Sequence, residues 1–391
     1  MTKGYLLFIM AFLTVFGLKA STTYYLEGTI GKSRICMRFE DFTESYPNEE
    51  PRITDVRYFY LSSLKDIVLE GTRNKNQFTF YFNENDGEFD EKFALTKDAK
   101  GVFKGNWYHK SGKKLAVVLK PIVVTAIKNP YKHIPFISAY KNSDPFEYVR
   151  SSKFMFRTDS ITTFKGQTIR WVSETHGKCA GFYLDSSFSA TTRQLINPKL
   201  EVINFENAMG QLTCATQWDY SDGGGVEISF SLNYLDKNLF SFSIWKSWLC
   251  GGAHPDFGYD SYLLDLNTGK EYAFEELVAF DKSVVIYDEK ADNFTEYVAY
   301  QRDYFAPKIL ALLKEQGSVY ADYNSEEDPC MELYNDPESW TFANWGFTEH
   351  GLRFSCSVAR AARACETESF TIPFDKFKAW KQASFPYSFP E

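Results

Sequence analysis

Residues 24–40 read Tyr-Tyr-Leu-Glu-Gly-Thr-Ile-Gly-Lys-Ser-Arg-Ile-Cys-Met-Arg-Phe-Glu, and this stretch decides the class of the N-terminal part of the chain. Ile35, Met37 and Phe39 alternate with Arg34, Cys36 and Arg38, so an extended backbone puts three apolar side chains on one face. Gly31 and Lys32 separate this run from Tyr24 to Ile30, which reads as two strands around a tight turn. The pattern repeats outward. Val56 to Leu61 and Ile67 to Glu70 flank Ser62 to Asp66. Phe78 to Phe82 runs into the turn cluster Asn83 to Gly87. Phe103 to Tyr108 and Leu115 to Lys120 flank Lys110 to Lys113. Short strands with frequent turn signals and no helical period predict a mainly β domain over residues 21–125, a meander or a small antiparallel barrel.

Beyond it, Pro130, Pro135 and Pro145 interrupt any period, and residues 126–165 read as a linker with some docked segments. From 166 to 385 the expectation is an α+β domain with an antiparallel sheet and one or two helices. Val226, Ile228, Phe230 and Leu232 alternate with polar residues, as do Phe240, Phe242 and Ile244, predicting a hairpin. Tyr262 to Leu266 and Glu271 to Phe274 predict a second hairpin around Asn267-Thr268-Gly269. Then Tyr297, Tyr300, Tyr304, Leu310 and Leu313 recur near helical spacing, with Pro307 kinking the segment or starting its second half and Gly317 as the cap. Strands return at Trp340 to Phe347 and Leu352 to Val358, and a short helix near Asp375 to Trp380 closes the chain.

The composition is that of a folded protein: 391 residues, 44% hydrophobic and 24% charged, with 18% aromatic residues favouring β structure. Residues 1–20 read as a signal peptide. Lys3 precedes an apolar run from Tyr5 to Leu18 that is too short to span a membrane, and Ala20 offers a cleavage site. The expected location is therefore exported, periplasmic or secreted. Losing Lys3 and Lys19 would leave 41 bases against 51 acids, a charge of −10. Such a chain repels a nucleic-acid backbone and attracts basic partners. Export permits disulfides. Six of the seven cysteines lie beyond residue 170, and the odd count leaves at least one thiol over, with Cys36 the natural candidate. Connectivity is not readable from spacing, although Cys330 with Cys365 is the favoured pair.

Catalytic signatures are missing. No HExxH, GxSxG, SxxK or phosphate-loop pattern occurs, the acidic turn before Gly87 does not keep an EF-hand register, and Asp219 to Gly225 reads as a flexible loop. No pair of the five histidines has metal-ligand spacing, so neither metal nor cofactor is expected. His254 stands apart in Cys250-Gly251-Gly252-Ala253-His254-Pro255, followed by Asp256. The glycines free the backbone and Pro255 holds His254 extended. An imidazole there would bind or catalyse, or its ring would bond to backbone and fix the loop. The second role is favoured, since no nucleophile or second ligand adjoins it.

The run CGGAHPDFGYDSYLLDLNTGKEYAFEELV, residues 250–278, resembles an extracytoplasmic domain family of unknown function. That family is shared by the ectodomain of the RsiV-type anti-sigma factor and by PdaC-type peptidoglycan deacetylases. The stretch WTFANWGFTEHGLRFSCSVARAARACETESFTIPFDKFKAW, residues 340–380, is similar to the family's ending. The resemblance covers about residues 195–380. Its GGAH box falls on Gly251, Gly252, Ala253 and His254, followed by Pro255, and its DLNTGK box includes Asp265, Thr268, Gly269 and Lys270. No deacetylase domain and no preceding membrane helix accompany them, so neither of those activities carries over. The N-terminal box from Gly105-Asn106-Trp107 to Gly112-Lys113-Lys114 is similar to β-meander modules of bacterial secreted proteins.

The resemblance implies an exported, non-enzymatic binding protein whose partner is a basic protein such as lysozyme, or cell-wall glycan. Trp245, Trp248, His254, Asp256 and Tyr259 are its candidate contacts. An enzyme acting on cell-wall glycan and a structural envelope protein are the alternatives.

Overall fold

The computed structural model describes residues 21–42, 52–82, 89–214, 225–250, 254–320 and 328–391. The expected leader (residues 1–20), the turn at 83–87, residues 219–224 of the glycine loop and Gly251, Gly252 and Ala253 lie outside the described residues. The chain divides into two compact units, residues 1–153 and 154–391.

The first unit is built on eight strands: β1 (Ser21–Ile30), β2 (Ser33–Phe42), β3 (Arg52–Tyr60), β4 (Ile67–Asn74), β5 (Gln77–Phe82), β6 (Glu91–Lys97), β7 (Phe103–His109) and β8 (Lys114–Pro121). Each pairs antiparallel with the next, and β8 returns to β1 with Thr29 opposite Val118, closing a barrel. Closure leaves no sheet edge unpaired. Period-2 alternation turns Ile35, Met37, Phe39, Phe80, Phe93 and Phe103 inward, where all are buried and Phe39 packs edge to face on Phe103. The apolar pattern does not announce β6, because only Phe93 and Leu95 mark its inner face.

Residues 126–165, expected as a linker, hold more order than their prolines suggest. They form α1 (Pro135–Ser143) and α2 (Pro145–Ser151) in the first unit and begin the second unit with β9 (Phe156–Phe164). Pro135 and Pro145 start the two helices, where a missing N–H costs nothing. Asp144 caps α2 by accepting from the Phe146 and Glu147 amides. Phe146 of α2 packs on Phe59 of β3 at 4.6 Å, and Arg150 lies fully buried over the same ring. Its guanidinium bonds Asp66, the Leu64 carbonyl and Glu147, the last at 2.8 Å. This cover explains why Cys36, opposite Phe59 and on the outer face of β2, is also buried.

In the second unit β9, β10 (Gln167–Glu174) and β11 (Ala180–Leu184) form one sheet. The 24-residue helix α3 (Ala190–Thr213) follows, where the sequence reading places no helix. Pro198 and its asparagines mask the helical spacing of the buried Ile196, Leu200 and Ile203. Two of those asparagines act on the sheet. Asn197 exchanges two hydrogen bonds with the Leu184 backbone and Asn204 two with Phe182, so side chains of α3 satisfy an edge that no strand covers.

The predicted hairpin is β12 (Gly225–Leu235) and β13 (Leu239–Leu249), extended by β14 (Asp256–Asp265). Phe240, Phe242 and Ile244 pack toward α3, while Leu239 and Leu263 join a second core. The second predicted hairpin is a single bridge, Leu264 with Glu271. The chain then turns into α4 (Phe274–Leu277), where the Glu276 carboxylate takes the Ala273 amide at 3.0 Å.

The tyrosine-rich stripe resolves into α5 (Phe294–Tyr300), a turn of wider π pitch over Gln301–Phe305, and α6 (Ala306–Glu315). Pro307 sits in the first turn of α6. It has no N–H for the Asp303 carbonyl and its ring crowds that carbonyl, which accounts for the widening just before it. Gly317, at φ +74°, closes α6 in the left-handed conformation. After α7 (Met331–Asn335), a small sheet of β15 (Asn344–Phe347), β16 (Leu352–Ser355) and β17 (Phe370–Ile372) completes the unit. β15 begins later than the expected strand from Trp340 because Pro337–Trp340 is a 3-10 turn, β16 stops at Ser355, and the closing helix expected near Asp375 to Trp380 is the 3-10 turn Phe374–Trp380. No described helix is long and apolar enough to cross a membrane.

Candidate functional site

Two disulfides frame the segment that carries His254. Cys250, at the end of β13, is bonded to Cys214 at the end of α3, and Cys330, before α7, is bonded to Cys365. The second bridge anchors the 3-10 turn Arg360–Thr367, whose arginines reach back to the start of β14. Arg360 donates to the His254 carbonyl at 3.2 Å, and Arg363 bonds the Phe257 carbonyl and pairs with Asp256 at 3.1 Å. His254, Asp256, Phe257, Arg360 and Arg363 line an open groove of about 690 Å³. The His254 ring is exposed and has no hydrogen-bond partner among the described residues. Among the described residues, the contact that His254 makes at the start of β14 is through its carbonyl and not through the imidazole.

The DLNTGK stretch, residues 265–270, is a turn built around the buried Asp265. The Asp265 carboxylate accepts from the amides of Asn267 and Thr268 at 2.8 and 3.1 Å, and from the hydroxyls of Tyr272 and Tyr387 at 3.1 and 2.8 Å. Burial works to raise its pKa, but these four donors outweigh it and hold the carboxyl below its ordinary value. Gly269, at φ +73°, lets its amide return to the Asp265 carbonyl at 2.8 Å. The Thr268 hydroxyl accepts the Lys270 amide, and the Lys270 ammonium pairs with Glu276 at 2.6 Å. Every polar part of this box is spent on shape.

The aromatic candidates do not share one surface. Trp245 lies opposite Tyr259 on one face of the β13–β14 ladder. Trp248 leaves from the other face, where its ring lies over the space Gly258 leaves. All three are half-buried.

Exposed aromatic surface gathers elsewhere. A cleft of about 410 Å³ is lined by Phe274 and Glu275 of α4, Tyr287, Tyr297, Gln301, Phe342 and Trp345. Tyr287 and Phe342 are 49% and 50% exposed, whereas Glu275 at 5% and Gln301 at 2% form its floor. Gln301 opens the π-pitched turn, and its amide donates to Glu275. Burial pushes the Glu275 carboxyl above its ordinary pKa. A backbone hydrogen bond and Gln301 work against the shift, and Glu276 reinforces it. The sequence holds Glu275 inside the family-like run and Tyr297 inside the helical stripe. Gln301, which opens the wide turn, joins them in one cavity, and that turn leaves no motif beyond Pro307. No cluster of His, Cys, Asp and Glu suited to a metal occurs among the described residues.

No protein-family model matches the chain, and no curated protein does. Among solved structures it has a distant neighbour in the crystal structure of a DUF3298 family protein from Pseudomonas aeruginosa PAO1. The two are 12% identical, with a TM-score of 0.31, over 61% of this chain and 94% of that one.

Proposed function

We propose that the protein is an exported binding protein and that the Glu275 cleft receives cell-wall glycan. The observation that carries this reading is the pairing of exposed flat rings, Tyr287 and Phe342, with the buried polar floor of Glu275 and Gln301. A pyranose presents an apolar C–H face to stack on an aromatic ring and a rim of hydroxyls that need hydrogen-bond partners. An apolar-walled cleft with few converging polar groups suits that chemistry. Binding is favoured over hydrolysis because Glu275 is the single carboxyl group among the residues lining the cleft. Glycosidases of the common kind place two carboxyl groups roughly 5–10 Å apart. Export is supported by the signal-like residues 1–20 and by the two disulfides.

A basic protein partner such as lysozyme is the second reading, favoured by the excess of 51 acids over 43 bases and by the resemblance to the RsiV-type ectodomain. Titration of the purified protein with soluble peptidoglycan fragments and with a panel of lysozymes separates the two. Heat with fragments that disappears in Tyr287→Ala supports the glycan cleft, and binding confined to a lysozyme replaces it with the protein partner.

A further inference from the structure

A second, smaller cavity of about 100 Å³ lies in the same unit and shares only Trp345 with the glycan cleft. Its wall carries Arg353 from the middle of β16. Arg353 is half-buried, and a guanidinium that has lost part of its hydration is commonly matched by a carboxylate. The Arg353 guanidinium has no ion pair and no hydrogen bond among the described residues. Burial lowers its pKa, and the nearby Tyr259 works in the opposite direction. Glu366 shares the cavity but is committed elsewhere: one oxygen accepts the Val358 amide at 2.7 Å and the other faces Arg363 at 3.5 Å.

The neighbours of Arg353 are also uncommitted. The side chains of Tyr259, Ser261, Asn344, Ser355 and Ser369 line the cavity and make no hydrogen bond to a described residue. The fold makes room for the guanidinium with Gly346, which faces Arg353 across the β15–β16 pair. A Cβ there would stand 3.4 Å from Arg353 Nη2 and 3.3 Å from Ser261 Oγ. A flat cation thus lies against a strand with hydroxyls around it.

We infer that this cavity binds the carboxylate of a small organic acid, or the carboxylate end of a larger ligand, with Arg353 as its counter-ion. One positive charge beside the Glu366 carboxylate suits a monoanion and disfavours a dianion such as phosphate. The planar fork of arginine matches the two carboxylate oxygens. The volume is that of about three waters, sized for the acid group and a short stem. The inference is independent of the glycan cleft, since neither Tyr287 nor Glu275 touches the cavity.

The test is calorimetric titration of the full protein with D-lactate, N-acetyl-D-alanine, glucuronate and inorganic phosphate, in wild type, Arg353→Gln, Arg353→Lys and Tyr287→Ala. Saturable binding of at least one carboxylate is expected. Arg353→Gln should weaken it about tenfold or more, Arg353→Lys should retain part of it, and Tyr287→Ala should leave it unchanged. The preferred carboxylate reports the source, lactyl, peptide or uronic acid. Far-ultraviolet circular dichroism and melting of each variant separate lost binding from lost folding. If Arg353→Gln fails to fold, the inference rests on the wild-type titrations and on Ser261→Ala, which should weaken carboxylate binding severalfold. Absence of saturable binding with every carboxylate, equal affinity in wild type and folded Arg353→Gln, unchanged affinity in Ser261→Ala, or tighter binding of phosphate than of any carboxylate would overturn it.

Discussion

The Tyr387 hydroxyl donates to the Asp265 carboxylate at 2.8 Å, joining the last residues of the chain to a turn 122 positions earlier. Asp265 thus helps to hold the C-terminal segment, beside the buried Phe385 and Phe389. Asp265→Ala would strand four donors and should cost about 3 kcal/mol, whereas Tyr387→Phe should cost about 1 kcal/mol. Both are read from denaturant melts. The Asp265 pKa is lowered on folding. Its contribution is therefore present above the unfolded value, about 3.9, and is lost as pH falls through the folded one. The wild-type and Asp265→Ala stabilities should converge in acid, and a gap that stays constant would contradict this role.

Among the described residues, His254 is hydrogen-bonded through its carbonyl alone. His254→Ala keeps that carbonyl, so stability should change by less than about 0.5 kcal/mol. A fall in melting temperature as large as that of Asp265→Ala would restore the structural role for the imidazole that the sequence favours.

Three cysteines, Cys36, Cys179 and Cys356, are unpaired and buried, and burial pushes each thiol up to about 12. Thiols held neutral react slowly. Alkylation followed by intact-mass analysis should add nothing to the native protein, three groups to the denatured protein and seven after reduction. Fast native labelling of any of the three would contradict their placement.

Burial and position divide what the sequence shows from what it hides. Seven of the eight barrel strands are legible because their inner residues alternate, Ile35, Met37 and Phe39 most plainly. The eighth, β6, shows too few apolar residues to be seen, and closure of the barrel depends on it. Helix α3 is hidden by Pro198 and by asparagines that the fold uses as backbone partners for β11. At the candidate site, the glycines and proline around His254 advertise a shaped loop. The Glu275 cleft and the Arg353 cavity are assembled from segments up to about a hundred residues apart, through packing that no local spacing encodes.

Glu275 titrates above its ordinary value because it is buried. Protonation of this group favours the fold below the unfolded pKa of about 4.3, and that advantage is lost as pH rises through the folded value. Glu275→Gln keeps a neutral amide beside Gln301 and should flatten the fall in stability over that window, as followed by melting temperature against pH. An unchanged profile would place the carboxyl in a wetter setting.

The glycan cleft is tested most directly by calorimetric titration of soluble, uncharged peptidoglycan-type oligosaccharides into wild type, Tyr287→Ala and Phe342→Ala. Neither exposed ring supports the core, so both variants should melt within a few degrees of wild type. Wild type should bind with a dissociation constant in roughly the micromolar to millimolar range, and each variant should lose about tenfold or more, equivalent to 1.4 kcal/mol. Equal binding by all three proteins, or no binding by wild type, would contradict the assignment of the cleft.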